Sequence, residues 1–487
     1  MADVDEDQDH PRPHVVVVGA GIAGLTAAFA LREAPVRLSV LEAGSRLGGK
    51  LAVSQIAGVQ VDEGAEGLYA RRPKTARLVA DVGLGEQLTT ATTKATAIWT
   101  HKALRALPYH QFMGVPSDMD ELAGTGLLSP EGIARARQEA DLPLRGHETD
   151  RDVAGFVGDR YGREVVDQLV DPFLADVCAG RSDELSFQAM LTPLARALKK
   201  HPSLTAAAGS LIAPPSPPGQ EPPPGLATLT GGMGSLPPAL AQEILRTSPG
   251  AEIRLETTVE SLQRRERGWR LQVSTGGSVQ QIEADAVVLA LPAEAASKLL
   301  SGLPPVSQAA ADLADIPYTG TAIITFAYPR QAFPEGIGGH RFCGYRVPAR
   351  EGYATKAVTF SSVKWRHLAG DLEILRCQIG GVGDQQVLGR DDDELVALAG
   401  SELAEATGVD APPVAARVSR WADSLPQYTV GHLARVERIH ASLATQPGLA
   451  ACGAAFDGVG VGNCIASAFK AAESVQDWMF QEAAARG

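Results

Sequence analysis

The sequence is poor in cysteine and in basic residues, and it lacks long apolar runs. Its five cysteines, among 487 residues, stand far apart with no CxxC pair and no zinc-type spacing, so we expect buried, reduced thiols and no metal site. Its 44 basic residues are outnumbered by 57 acidic ones, and the net charge of −13 argues against nucleic-acid binding. An anionic ligand would therefore need a local basic pocket.

Signals for export and for membrane insertion are missing as well. Residues 1–14 are acidic and poor in apolar side chains, the reverse of a secretory signal. No apolar run reaches the roughly 18 residues that span a bilayer. We therefore expect a cytoplasmic protein without a transmembrane segment, while peripheral membrane contact and the oligomeric state stay open.

The N-terminal segment has the pattern of a βαβ unit with a glycine turn. The apolar run HVVVV at residues 14–18 predicts a buried strand, a helical stretch follows the turn, and a second strand ends at Glu42. The turn consists of Gly19, Ala20, Gly21, Ile22, Ala23 and Gly24. Gly19 permits the tight turn, Gly21 lets a pyrophosphate approach the backbone, and Gly24 lets helix and strand touch. With Glu42 placed to hold a ribose hydroxyl, this context favours a dinucleotide site over a purely structural turn.

The residues that follow Glu42 indicate which dinucleotide is bound. Residues 42–50, EAGSRLGGK, resemble the extended fingerprint of the flavin amine oxidase and protoporphyrinogen oxidase superfamily, which implies FAD. No second complete GxGxxG unit is present for a nicotinamide cofactor. At residues 428–432, YTVGH, no cysteine stands where amine oxidases with covalent FAD carry one, so we expect non-covalent FAD.

Longer segments narrow the resemblance to the bacterial coproporphyrinogen III oxidases of Gram-positive haem synthesis. They run in order through most of the chain, at residues 61–85, 229–240, 359–365, 420–439 and 453–472. The resemblance implies an oxygen-dependent FAD oxidase that converts coproporphyrinogen III to coproporphyrin III and releases hydrogen peroxide. No side chain is assigned as catalytic, because the flavin supplies the redox chemistry.

The same resemblance implies residues for the cofactor and the substrate. Beyond the glycine turn, the expected FAD contacts are Glu42, Ala43, Lys50, Gly64, Ala65, Glu66, Gly67, Val259, Trp421, Val459, Gly460 and Val461. Val259 would meet the adenine and Trp421 the flavin, although core packing is an equal alternative for Trp421. The substrate's propionates would be held by Arg71, Arg72 and, as a weaker candidate, Lys364. A solvated surface pair is the alternative for the two arginines.

The fold that follows is α/β, with a discontinuous Rossmann-like FAD-binding domain, an inserted helical domain and an antiparallel-sheet substrate domain. The FAD-binding domain takes residues 1–80, 226–300 and 416–487. The helical domain takes residues 81–211, a proline-rich loop residues 212–225, and the substrate sheet residues 301–415. Residues 269–273 and 284–291 predict two strands, and we expect both to join the first sheet.

Two departures from the family's pattern leave the exact substrate open. Cys178 stands where the family often has tyrosine, and Gly462 where it often has proline. Protoporphyrinogen IX oxidase and a diverged amine oxidase are the alternatives within the class. A non-catalytic binding protein on the same fold, similar to the Rab escort and dissociation-inhibitor proteins, is the alternative outside it, and the intact glycines and Glu42 argue against it.

Overall fold

The structure is a computed structural model that describes residues 12–146, 148–212, 225–333 and 342–486. The predicted proline-rich loop lies, apart from its two end residues, outside the described residues.

A five-stranded parallel sheet forms the centre of the molecule. In spatial order its strands are Glu252–Arg254, Arg37–Leu41, His14–Val18, Ala286–Leu289 and Leu449–Ala451. In the strand His14–Val18 the alternate valines face opposite sides: Val15 and Val17 pack with one core cluster, Val16 and Val18 with another. This burial on both faces explains the unbroken apolar run, because each side of a parallel sheet is covered by other elements.

The two faces of this sheet are covered by different elements. On one face lie the helices Ile22–Leu31, Leu236–Thr247 and Val461–Arg486. The other face carries the antiparallel strands Thr257–Arg264, Trp269–Thr275 and Ser278–Ala284 and the helices Ala293–Leu300, Ser307–Ala314 and His432–Ala444. Ala286–Leu289 joins the first sheet as predicted, but Trp269–Thr275 does not, because its alternating pattern leaves one face polar and suits an antiparallel layer.

A seven-stranded sheet forms a second layer. Its strands are, in spatial order, Ala415–Pro426, Tyr318–Pro329, Leu372–Gly380, Thr355–Phe360, Gly344–Arg346, Ala97–Thr100 and Ala103–Ala106. All neighbours are antiparallel except Gly344–Arg346 with Ala97–Thr100. The helix Asp392–Thr407 packs Leu395, Ala399 and Leu403 onto this sheet. The last two strands lie within the stretch predicted to be mainly helical, and the domain boundaries themselves stay predictions.

Helices dominate residues 119–211 and share one core, which includes Phe156, Tyr161 and Leu174. They are Met119–Thr125, Pro130–Arg137, Val153–Tyr161, Arg163–Val165, the π-helical turn Val166–Val170, Asp171–Cys178, Phe187–Met190, Thr192–Leu198 and Leu204–Leu211. Among the described residues, no helix combines the length and the hydropathy needed to cross a bilayer.

The remaining elements are short. The strands are Val53–Ile56 with Val59–Asp62, Gln111–Phe112 with Val115–Pro116, and Leu226–Leu229 between Leu68–Tyr69 and Leu88–Thr90. The α-helices are Pro73–Asp81 and Ser361–Lys364. The 3₁₀ turns are Gly85–Gln87, Gln138–Asp141, Met233–Ser235, Pro304–Val306, Arg330–Ala332, Ala349–Glu351, Arg366–Leu368 and Gln385–Gly389.

Candidate active site

The glycine turn lies at the carboxyl edge of the parallel sheet. Gly19 has a φ of +101°, and a β-carbon there would lie 2.5 Å from the carbonyl oxygen of Ala290. A β-carbon on Gly24 would lie only 1.8 Å from the carbonyl oxygen of Gly19. At Gly21, in contrast, an added β-carbon meets none of the described atoms within 4 Å. Two glycines therefore permit close packing, and the third borders open space.

The helix that follows the turn begins without a side-chain cap. Gly21 occupies the cap position with extended backbone, and no side chain among the residues that the structure describes accepts a hydrogen bond from the first-turn N–H groups. Such N–H groups, with the positive end of the helix dipole behind them, favour an anionic ligand. The open space beside Gly21 is thus suited to a pyrophosphate.

Glu42 joins the turn to the next loop. One carboxylate oxygen accepts a hydrogen bond from the N–H of Ala20 at 2.7 Å, and the other accepts one from the N–H of Gly44 at 2.8 Å. The carbonyl of Glu42 accepts a hydrogen bond from the N–H of Thr257, two residues before Val259 in the same strand. The predicted ribose contact Glu42 therefore lies close to the strand that carries the predicted adenine contact Val259.

The second glycine doublet packs on the first turn. The N–H of Gly48 donates to the carbonyl of Ala20 at 2.8 Å, and a β-carbon on Gly49 would lie 3.4 Å from the Cα of Gly21. Lys50 follows; it is half-buried, and its ammonium group forms no hydrogen bond or ion pair with the described residues. Burial lowers the pKa of its ammonium group, and an anion bound beside it would stabilise the charged form.

Residues 64–67 form a tight loop between Lys50 and Trp421. The Trp421 indole N–H donates to the carbonyl of Glu63 at 2.9 Å, and a β-carbon on Gly64 would lie 3.1 Å from the Trp421 ring. The same added carbon would lie 2.1 Å from the carbonyl oxygen of Lys50. Trp421 therefore fixes the loop, and Gly64 is required by the close approach of two other chain segments.

Glu66 holds two cations from the seven-stranded sheet layer. Its carboxylate accepts hydrogen bonds from the ammonium of Lys364 and, at 2.8 Å, from Arg376, which also donates to the carbonyl of Gly64 at 2.6 Å. Burial raises the pKa of Glu66, but the two cations outweigh it and bring the pKa to about 2. Lys364, predicted to hold a propionate, is thus already paired, while its role toward substrate stays a prediction.

Arg71 and Arg72 lie where the strand Leu68–Tyr69 leads into the helix Pro73–Asp81. Both are exposed, and neither guanidinium forms an ion pair or hydrogen bond with the residues that the structure describes. A β-carbon on Gly462 would lie 3.4 Å from Cδ of Arg72, so this arginine reaches the first turn of the helix Val461–Arg486. The turn of Val459, Gly460 and Val461 immediately precedes that contact.

The sequence patterns above did not predict a role for Arg376, although the sequence contains a signal for one. It is an arginine in the apolar strand Leu372–Gly380 and is only 8% exposed. A buried charge in such a strand needs a partner, and Glu66 is that partner. All five cysteines are free and buried, as expected, and no group of metal-ligating side chains occurs among the described residues.

A parallel sheet that carries a glycine turn, an uncapped helix start and a terminal acid at its carboxyl edge defines a dinucleotide-binding fold of the Rossmann type. The chain matches the family described as flavin-containing amine oxidoreductase over residues 22–476. It therefore belongs to that family and is an FAD-dependent oxidoreductase. The predicted fold class, family resemblance and cofactor are confirmed.

Individual relatives agree with this assignment. The chain is 35% identical to the coproporphyrinogen III oxidase of Mycobacterium tuberculosis over 96% of this chain and 97% of that protein. It is 28% identical to the Bacillus subtilis protein of the same name over 96% and 99%. A structure from Exiguobacterium sp. 255-15, described as a candidate protoporphyrinogen oxidase, superposes with a TM-score of 0.81 at 30% identity, covering 95% of this chain and 98% of that chain.

Proposed function

We propose that this protein is an oxygen-dependent coproporphyrinogen III oxidase of haem biosynthesis, which forms coproporphyrin III and hydrogen peroxide. The observation that carries the proposal is the 35% identity along 96% of the chain to a relative of that name. Arg71 and Arg72 support it, because a substrate with several carboxylates needs cations that are not already held, and no carboxylate among the described residues pairs with either arginine.

We assign the cofactor contacts as follows. The N–H groups after Gly21 would hold the pyrophosphate, Glu42 the ribose and Val259 the adenine. Lys50 and the loop of residues 64–67 would also contact FAD. Trp421 and the turn of Val459, Gly460 and Val461 would lie near the flavin. The open space at Gly21 fits the anionic pyrophosphate. Lys50, which is half-buried and pairs with no carboxylate among the described residues, fits an anionic part of the cofactor.

FAD, when bound, supplies an acceptor for the hydride removed from a methylene bridge, and oxygen restores it with formation of hydrogen peroxide. The chain's own residues then have to orient the substrate. Arg71 and Arg72 would hold propionates and so fix which bridge carbon faces the redox centre. The N-terminus of the helix Val461–Arg486 would stabilise negative charge that develops beside it. The pyrrole N–H loses its proton as the hydride leaves, and aromatisation of the macrocycle favours the reaction.

A direct assay tests the function. Purified holoprotein is incubated under air with coproporphyrinogen III, with protoporphyrinogen IX and with a panel of amines, and porphyrin fluorescence and peroxide are followed above the autoxidation rate. We expect the highest kcat/KM with coproporphyrinogen III. A higher value with protoporphyrinogen or an amine would reassign the substrate, and a colourless, inactive protein would favour the binding-protein alternative.

The compartment is part of the same proposal. We assign the protein to the reducing cytoplasm, supported by its five free, buried cysteines.

A further inference from the structure

A small cavity lies behind the loop of residues 64–67, between the hairpin Val53–Ile56/Val59–Asp62 and the seven-stranded sheet. Its volume is about 10 Å³, which is the room that a single water molecule occupies. The polar lining residues that matter are Asp62, Glu66, Trp365, His367 and Arg376. No role for this cavity follows from the cofactor contacts assigned above.

Three of these residues carry a buried nitrogen that has no hydrogen-bond partner in the described parts of the chain. They are Nε1 of Trp365, Nε of Arg376 and Nδ1 of His367. Trp365 is 2% exposed and Arg376 8% exposed, so bulk water does not reach the two donors freely. Buried polar atoms without a partner are rare in folded proteins, and the presence of three on residues that line one water-sized space favours a bound water molecule.

The same cavity offers acceptors for the water's own protons. Asp62 accepts a hydrogen bond from the N–H of Gly234 at 3.3 Å, and the carboxylate of Glu66 is bound by Arg376 and Lys364. A water molecule can accept hydrogen bonds from two donors and donate to two acceptors. The Trp365 indole N–H and the Arg376 Nε–H are two such donors, and the carboxylates of Asp62 and Glu66 are two such acceptors. A small cation fits less well, because the Arg376 guanidinium borders the same space.

We propose that the cavity binds one water molecule that links Asp62 to the Glu66–Arg376–Lys364 ion pairs, and that Asp62 takes up one solvent proton through it when the neighbouring cofactor site is reduced. On reoxidation Asp62 returns that proton to solvent, so that protons balance over the cycle. Asp62 would compensate charge and is not a catalytic residue, because it lies two residues before the loop predicted to contact FAD and is not itself a predicted cofactor contact.

The electrostatics of Asp62 suit this role. Its pKa is raised from 3.8 to about 6, mainly by burial and also by the negative charge of Glu66. Hydrogen bonds from the Met233 and Gly234 N–H groups and the positive charge of Arg376 act in the opposite direction. His367 also borders the cavity, and burial lowers its pKa, which disfavours the charged imidazolium. A carboxyl with such a pKa exchanges its proton near neutral pH and responds to added negative charge nearby.

Potentiometry of the holoprotein without substrate tests the coupling and is independent of the substrate assignment. In the wild type, the plot of midpoint potential against pH should change slope near pH 6, and infrared difference spectra on reduction should show a protonated carboxyl signal. Asp62→Asn should remove both signatures, whereas Asp312→Asn, which removes a carboxylate paired with Arg438 elsewhere, should leave both unchanged. If the slope change persists in Asp62→Asn, the coupling is refuted.

The water itself is tested separately. A high-resolution crystal structure of the wild-type holoprotein should show one water within hydrogen-bond distance of Trp365 Nε1, Arg376 Nε and Asp62. Trp365→Phe removes one donor with little change of shape, so the pH of the slope change should rise, because ionised Asp62 loses part of its solvation. An empty cavity, or an unchanged titration in Trp365→Phe, would overturn the water site.

Discussion

The side chain of Arg72 lies against Gly462, at the first turn of the C-terminal helix. A β-carbon on Gly462 would come within 3.4 Å of Arg72 Cδ and 3.9 Å of its Nε. These two residues are far apart in the sequence; Arg72 is a proposed propionate contact, and Gly462 stands where the family often has proline. Their contact places Arg72, the arginine proposed to bind a substrate propionate, beside the turn that is proposed to lie near the flavin.

Replacing Arg72 should weaken substrate binding. Arg72→Ala removes a charged hydrogen-bond donor worth roughly 1.5–3 kcal/mol, so KM for coproporphyrinogen should rise about 10- to 100-fold. Flavin content and Tm should stay unchanged, because the guanidinium has no partner among the described residues. Steady-state kinetics of Arg72→Ala and of the control Arg77→Ala, exposed on the same helix, decide this. Equal KM values in the two variants would contradict the assignment.

Gly462→Ala should be tolerated and slightly stabilising. A distance of 3.4 Å from Arg72 Cδ and Thr75 Oγ1 is ordinary van der Waals contact, and Gly462 has no positive φ. Alanine in a helix is favoured over glycine by about 0.5–1 kcal/mol. Thermal unfolding at fixed FAD concentration should show a higher Tm than the wild type. A lower Tm would mean that the contact with Arg72 is too tight for a methyl group.

Gly21→Val should abolish cofactor binding without unfolding the chain. The added side chain enters the space assigned to the pyrophosphate, and its β-carbon meets none of the atoms that the structure describes within 4 Å. Flavin absorbance of the purified variant measures the loss. Gly302→Val is the matched control, because its β-carbon also meets no described atom within 4 Å and the residue is exposed just after the helix Ala293–Leu300. Full flavin content in Gly21→Val would refute the assignment of the site.

Glu66→Gln should destabilise the protein by about 3–5 kcal/mol, because Lys364 and Arg376 would keep buried charges without a carboxylate. The double variant Glu66→Gln with Lys364→Met should recover part of the loss. Since the pKa of Glu66 falls from 4.5 to about 2 on folding, its contribution is complete above pH 4.5 and disappears as the pH falls through 2. Denaturant unfolding at fixed FAD concentration measures these differences, and an unchanged midpoint for Glu66→Gln would argue against a buried cluster.

His432 should make the protein sensitive to mild acid. It is fully buried and stacked on Tyr428 at 3.9 Å, and burial together with the Arg435 charge lowers its pKa from 6.5 to about 4. Because the unfolded chain binds the proton first, stability falls between pH 6.5 and about 4, by about 3 kcal/mol in total. His432→Phe should flatten this part of the stability curve, whereas His201→Phe should not. A curve in His432→Phe as steep as the wild type would exclude this origin.

The sequence by itself determined the first βαβ unit, the cofactor class and the family. Strand His14–Val18, the turn with Gly21 and the acid Glu42 depend on local sterics and on hydrophobic period, which act over a few residues. Such signals are legible without knowledge of the rest of the fold.

Only the tertiary structure decided which distant residues meet. In the structure Glu66 pairs with Lys364 and Arg376, and Arg72 contacts Gly462. Trp269–Thr275 belongs to a separate antiparallel layer and not to the first sheet. The physical reason is that ion pairing and strand pairing depend on which surfaces pack together after long loops close, and no local pattern records that choice. A lysine that looked available to substrate in the sequence is therefore held by a glutamate from another layer of the fold.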